Sequence, residues 1–315
     1  MELGSNSHKG NCFYFLCQIG VLNVQVIAAI DIGTNSTRLL VVQRTEAGWV
    51  ELARKLASTR LGEGIRRGVL LPSAMERTVE AVGLFYREAL GLGAQRVVAA
   101  ATSAVRDASN REEFLALVNQ RVGLPVRVLS GVEEARLSYL GVISGLNIEP
   151  ESTVVVDVGG GSTELIWIQS GRLRLASVKA GAVRLTGAGG RCELAAILRP
   201  ALSQVRQPGA VNLVGVGGTV TTLAAIDQKL VEYDPRLVHG YVLTTGRIKE
   251  ILSMLASLEL AERRRVPGLQ PERADIILAG VEIVLAVMEG LAVDRLVVSE
   301  SDILLGLIQE EVERK

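Results

Sequence analysis

Five residues in a row, Gly159-Gly160-Gly161-Ser162-Thr163, lie between two carboxylates, Asp157 and Glu164. Consecutive glycines let backbone N–H groups approach an anion with no Cβ in the way, and the two hydroxyls add donors. Carboxylates beside such a turn suit magnesium, which takes oxygen ligands and bridges protein to phosphate. A plain glycine hairpin turn would read the same way if it stood alone. It has company. Asp31-Ile-Gly33-Thr34-Asn35-Ser36-Thr37-Arg38 opens with the same Asp-x-Gly and is richer in side-chain donors. Thr34, Asn35, Ser36 and Arg38 are candidate phosphate ligands. Asp31 is a candidate contact to metal or water, or else a structural turn carboxylate. A third turn, Gly215-Val-Gly217-Gly218-Thr219, falls between a strand and a helix, where helix N–H groups favour anions.

Two further residues could do chemistry. Arg106 follows the apolar strand 96–101, near a strand C-terminal end, where open α/β sheets bind ligands. It reads as a phosphate clamp or as the surface ion-pair partner of Asp107 or a nearby acid. In Ser130-Gly-Val-Glu133-Glu134-Ala-Arg136, Ser130 and Glu133 have capping-box spacing. Glu134 then points about 100° round the helix. There it either faces a cleft, where a carboxylate can orient and deprotonate water, or is simply solvated. The chain has two histidines, His8 and His239, so no histidine-based metal site or triad can be built. His239 reads as a structural or substrate-edge residue.

The elements that hold these residues come as a self-similar pair. Ile27–Val42 and Thr153–Ile168 each consist of an apolar strand, Asp-x-Gly, a small polar turn and a second apolar strand. Strands then alternate with helices in each half. Strands are expected at 49–58, 96–101 and 126–129, then at 153–157, 163–169, 172–179, 211–214 and 296–298. Helices are expected at 73–90, from 109, at 130–144, 191–206, 220–227, 246–257 and 272–290, and at the C-terminus. Ser73/Glu76 and Ser109/Glu112 have the spacing of helix starts. This is an α/β chain. At 315 residues it is long enough for two domains, 26–148 and 149–315, divided near Asn147–Ser152.

Composition narrows the class. With 48% hydrophobic and 22% charged residues, the chain reads as a soluble globular protein. Lys plus Arg and Asp plus Glu are both 34, so a polyanion must be held by a local site and not by a global basic field. Nucleic-acid binding is not expected. Three cysteines, Cys12, Cys17 and Cys192, argue for a reducing, cytoplasmic setting. The apolar run Phe13–Val26 is shorter than the ~20 residues that span a bilayer. Residues 1–25 are expected to be an extension outside the fold, and no membrane association is expected.

In this order the motifs resemble those of the exopolyphosphatase and guanosine pentaphosphate phosphohydrolase family, over roughly residues 26–310. The resemblance implies two ribonuclease-H-like domains of the actin, sugar kinase and Hsp70 superfamily, with a cleft between them. It implies that Glu134 is the catalytic base and that Asp157 and Glu164 hold magnesium or another divalent cation. Arg106 would bind phosphate, and water would attack a terminal phosphorus without a covalent intermediate. A homodimer is plausible for such a chain.

Two departures shape the expected substrate. Where the family often has Ser-x-x-Gly-Leu-Arg-Glu-Gly, this chain has Ser299-Glu-Ser-Asp302-Ile-Leu304-Leu305-Gly306, so that arginine is missing. The sequence also lacks the extra helical region of longer relatives, which predicts shorter substrates and lower processivity. Inorganic polyphosphate is therefore the expected substrate, with guanosine pentaphosphate as the alternative. A same-fold kinase lacks a clear acceptor-activating Asp here. A non-catalytic guanosine tetraphosphate sensor does not fit the carboxylates at 134, 157 and 164.

Overall fold

The structure, a computed structural model, describes residues 25–46, 48–186, 191–205 and 211–314. The expectation for residues 1–25 lies almost wholly outside them.

The first half contains β1 (Val26–Ile32), β2 (Thr37–Thr45), β3 (Gly48–Ala57), α1 (Pro72–Gly91), β4 (Arg96–Ala101), α2 (Ser103–Asp107), α3 (Arg111–Val122), β5 (Val126–Val128) and α4 (Gly131–Gly145). The second contains β6 (Thr153–Val158), β7 (Thr163–Gln169), β8 (Arg172–Val178), α5 (Ala182–Leu185), α6 (Arg191–Leu202), β9 (Asn212–Val216), α7 (Gly218–Asp227) and α8 (Pro235–Val238). It continues with β10 (Val242–Thr244), α9 (Thr245–Ser257), α10 (Leu260–Arg263), α11 (Ile277–Gly290), β11 (Arg295–Val298) and α12 (Ile303–Glu313).

One sheet has the order β3-β2-β1-β4-β5 and the other β10-β11-β9-β6-β7-β8. In each, an antiparallel meander continues into parallel strands: β1 pairs with β4, and β6 with β9. The repeat read in the sequence is thus a repeat in topology. Its register aligns Asp31 with Arg38 across β1–β2 and Asp157 with Glu164 across β6–β7. β1 is buried along its whole length, as a strand covered on both faces must be.

Helices α4 and α12 join the two halves. Leu137 of α4 and Ile303, Leu304, Leu307 and Ile308 of α12 pack on Ile27, Ala29 and Leu40 of the first sheet. Ala135, Tyr139 and Val142, on another face of α4, pack on Val155, Ile166 and Val214 of the second. The joint is tight because it uses glycine. A Cβ at Gly141 would lie 1.9 Å from the Asp302 carbonyl oxygen, and one at Gly306 2.0 Å from that of Leu137.

Two helix starts differ from the sequence reading. Pro72 occupies the first turn of α1 and Leu71 precedes it, so Ser73 is not a cap; proline's fixed φ suits that position. Helix α3 starts after Asn110. Its side chain, like that of Ser109, is spent on the 68–70 loop: Asn110 accepts from Leu70 N at 2.8 Å and Ser109 Oγ donates to Gly68 O at 3.0 Å. The Ser130/Glu133 box forms as read.

Candidate active site

A cavity of about 750 Å³ opens where the two Asp-x-Gly turns face each other. Thr34 of the first turn reaches to 3.0 Å from the place a Cβ on Gly160 would take. The cavity wall includes Asp31, Thr34, Asn35, Ser36 and Arg38 from one half. Asp157, Gly159–Ser162 and Gly217–Thr219 come from the other, and Glu134 comes from the joint helix α4.

The glycine turn has a defined orientation. The carbonyl of Gly159 accepts from Ala182 N at 3.0 Å, that of Gly160 from Val183 N at 2.8 Å, and that of Gly161 from Arg184 Nε at 2.7 Å. In a trans peptide the N–H points opposite to the C=O. The N–H groups of Gly160, Gly161 and Ser162 are therefore turned away from α5, and all three residues line the cavity. Opposite them, both side-chain polar atoms of Asn35 and the hydroxyl of Ser103 are buried without a partner. Such orphaned groups are costly unless a ligand completes them.

Glu134 is 9% exposed and lines the cavity. Its Oε2 accepts from Arg106 Nη1 at 2.6 Å, and the same nitrogen donates to Leu129 O at 2.9 Å. Arg106 is thus placed on the glutamate, not on Asp107, which pairs with Arg184 and Lys179. Burial pushes the Glu134 carboxyl up to about 7; Arg106 opposes this, while Asp157 and Asp31 add to it. One helical turn later, Ser138 Oγ donates to Asp157 Oδ2 at 2.7 Å. Glu134 and Ser138 are four apart on α4 and share a face, so one helix fixes both carboxylates.

Three expected ligands are placed otherwise. Thr163 already belongs to β7, is not part of the cavity wall, and its hydroxyl donates to Ala180 O at 2.5 Å. Glu164 is fully buried and is not part of the cavity wall; its Oε1 accepts from Ser177 Oγ at 2.7 Å, and its Oε2 has no partner. Arg38 lines the cavity but bonds two carboxylates, Asp31 and Asp302.

Among the described residues, no group of three or more His, Cys, Asp or Glu side chains is close enough to hold a metal by itself. Asp31, Asp157 and Glu164 do not form a cage. The donor set still fits a divalent cation of the magnesium type, which uses one or two carboxylates plus substrate phosphates. Asp31 Oδ1 and Glu164 Oε2 are buried oxygens without partners. Burial raises the carboxyls of Asp31, Asp157 (to about 6) and Glu164, so a cation beside them would relieve the crowding.

The sequence reading missed Ser103, Ser138, Arg273 and Asp302. Arg273 is 8% exposed, lines the cavity over Gly218 and makes no ion pair among the described residues. Burial, with Arg38 nearby, pulls its guanidinium down to about 10. Ser103 could have been suspected from the Ala-Thr-Ser turn after β4; Arg273 stands in no motif.

The Ppx/GppA phosphatase family model matches residues 40–315. The chain is 35% identical over 313 residues to exopolyphosphatase 2 of Mycobacterium tuberculosis, covering 89% of this chain and 97% of that one. It is 30% identical over 312 residues to a bifunctional 3-dehydroquinate synthase/phosphatase of Fusobacterium nucleatum, covering 91% of this chain and 47% of the relative. Among solved structures, the Aquifex aeolicus member of the Ppx/GppA family superposes with a TM-score of 0.77. That match is at 34% identity and covers 92% of this chain and 98% of the other.

Proposed function

We propose, from the premise that this chain belongs to the Ppx/GppA phosphatase family, that it is an exopolyphosphatase releasing terminal orthophosphate from inorganic polyphosphate. The observation that carries this is Glu134, a buried carboxylate held by Arg106, in one cavity with the glycine turn of residues 160–162. Glu134 orients a water and takes its proton as the water oxygen bonds to the terminal phosphorus. The bond from that phosphorus to the bridging oxygen breaks, and the shortened chain leaves. The N–H groups, Asn35, Ser103 and Arg273 bind the phosphate oxygens. Arg106 holds Glu134 in place. Asp157, with Asp31 and Glu164 nearby, would hold the divalent cation. When bound, that ion neutralises phosphate charge as it builds on the transferring group. Such a reaction is carried mostly by positioning and charge stabilisation.

The test is phosphate release from polyphosphate and from guanosine pentaphosphate at the same magnesium concentration. Polyphosphate is expected to be turned over faster, and faster turnover of the nucleotide would reverse the assignment.

A pH dependence follows from Glu134. It must be ionised to act, so kcat/KM is expected to fall about tenfold per pH unit below its raised pKa of about 7. Stability runs the other way. The folded-state pKa is raised, so the folded state is favoured with the proton on and loses stability as pH rises from about 4.5 to about 7. A flat kcat/KM profile between pH 5 and 8 would remove Glu134 from the base role.

We further take the two sheets with their helices as the two domains, divided near Asn147–Ser152, with α12 returning to the first sheet. No helix among the described residues is long and apolar enough to cross a membrane.

A further inference from the structure

Arg38 stands where the repeat in the second half has Glu164, yet its charge is already spent within the protein. Nε and Nη2 donate to Asp31 Oδ2 at 3.0 and 2.7 Å, and Nη1 donates to Asp302 Oδ2. One cation between two carboxylates leaves a net negative group on the cavity wall. It faces a site that holds anion donors, the 160–162 turn, Asn35, Ser103 and Arg273, beside the carboxylates of Glu134, Asp157 and Glu300. Of the two carboxylates, Asp31 is Arg38's register partner within the same sheet. Asp302 comes from the other end of the chain.

Asp302 is held firmly. Its Oδ1 accepts from Leu304 N at 3.0 Å as the N-cap of α12. Its backbone is pressed onto Gly141, and the segment before it is closed by Ser299 Oγ, which donates to Ser301 O at 2.8 Å and accepts from Ser301 N at 3.1 Å. The side chain is 7% exposed. This carboxylate is a fixed part of the wall, not a surface group that swings away.

We infer that Asp302 is a specificity-determining residue: by occupying Arg38 it withholds that arginine from substrate phosphates and weakens the grip of the cavity on polyanions. This rests on the reading of the cavity as a phosphoanhydride site.

The test uses Asp302→Asn and Asp302→Ser. Asn and Ser are both competent N-caps, so each keeps the bond to Leu304 N while removing the charge. Binding of inorganic tripolyphosphate is measured by calorimetry in EDTA over a range of salt concentrations, where hydrolysis does not interfere. Both variants are expected to bind about tenfold tighter, about 1.4 kcal/mol, with a steeper loss of affinity as salt rises. KM for polyphosphate should fall by a similar factor while kcat moves much less. Adding Arg38→Ala to Asp302→Asn should abolish the gain. Equal affinities and salt slopes in wild type and both variants would overturn the inference, as would a gain that survives Arg38→Ala, or no binding by any of the proteins. A wild type that binds tripolyphosphate but does not hydrolyse polyphosphate would sink the proposed function and leave this comparison standing.

Discussion

Glu134→Gln is expected to lower kcat on polyphosphate by about 10²–10⁴-fold, the usual contribution of a positioned general base, with tripolyphosphate affinity little changed. Glutamine keeps the length and shape of the side chain. Its amide oxygen can still accept from Arg106 Nη1, which now sits 2.6 Å from Glu134 Oε2. Only the proton-accepting carboxylate is lost. The rise of kcat/KM through neutral pH should vanish with it. A Gln variant with full turnover would show that another group activates the water, even if the enzyme cleaves polyphosphate as proposed.

Gly181→Ala is expected to cut kcat/KM by about 100-fold, although residue 181 is not part of the cavity wall. A Cβ there would lie 2.4 and 2.5 Å from the carbonyl carbon and oxygen of Gly160, and 2.5 Å from the carbonyl carbon of Gly161. These are backbone atoms of the phosphate turn, so no flexible side chain can give way. The turn must shift, and the N–H groups of residues 160–162 shift with it. Misplacement of a reacting group by about 1 Å is enough to cost about 100-fold. Overpacking of this kind also destabilises by about 1–3 kcal/mol, so a thermal melt belongs beside the kinetics. A folded Gly181→Ala protein with wild-type kcat/KM would mean that the turn does not grip the phosphate.

Much of this site was legible because its chemistry is local in sequence. The two Asp-x-Gly turns are contiguous, and their repetition marks two copies of one unit. The Ser130/Glu133 box consumes Glu133 and leaves Glu134 free, the family resemblance assigns Glu134 its role, and the box forms as read. The rest depends on contacts that sequence spacing does not encode. Arg38 looks like a phosphate ligand until Asp302, 264 positions away, is seen on it. Asp302 was noticed only as a departure from a glycine, because its partner is visible only once α12 is folded back onto the first sheet. Thr163 and Glu164 were read as parts of the turn. They are already strand residues: the Thr163 hydroxyl is spent on Ala180 O, and Glu164, the register partner of Asp157, is buried outside the cavity wall with Oε1 on Ser177. Neither Ser109 nor Asn110 caps α3 with its side chain, because the 68–70 loop claims both.

Attack of water on the terminal phosphorus of a chain held in this cavity has an isotopic signature. It is tested most directly by hydrolysing polyphosphate of one defined length in ¹⁸O-enriched water and following both products by mass. Orthophosphate is expected to carry one oxygen from water, with the other product one unit shorter and unlabelled. Label in the shortened chain, or fragments from internal cleavage, would contradict it.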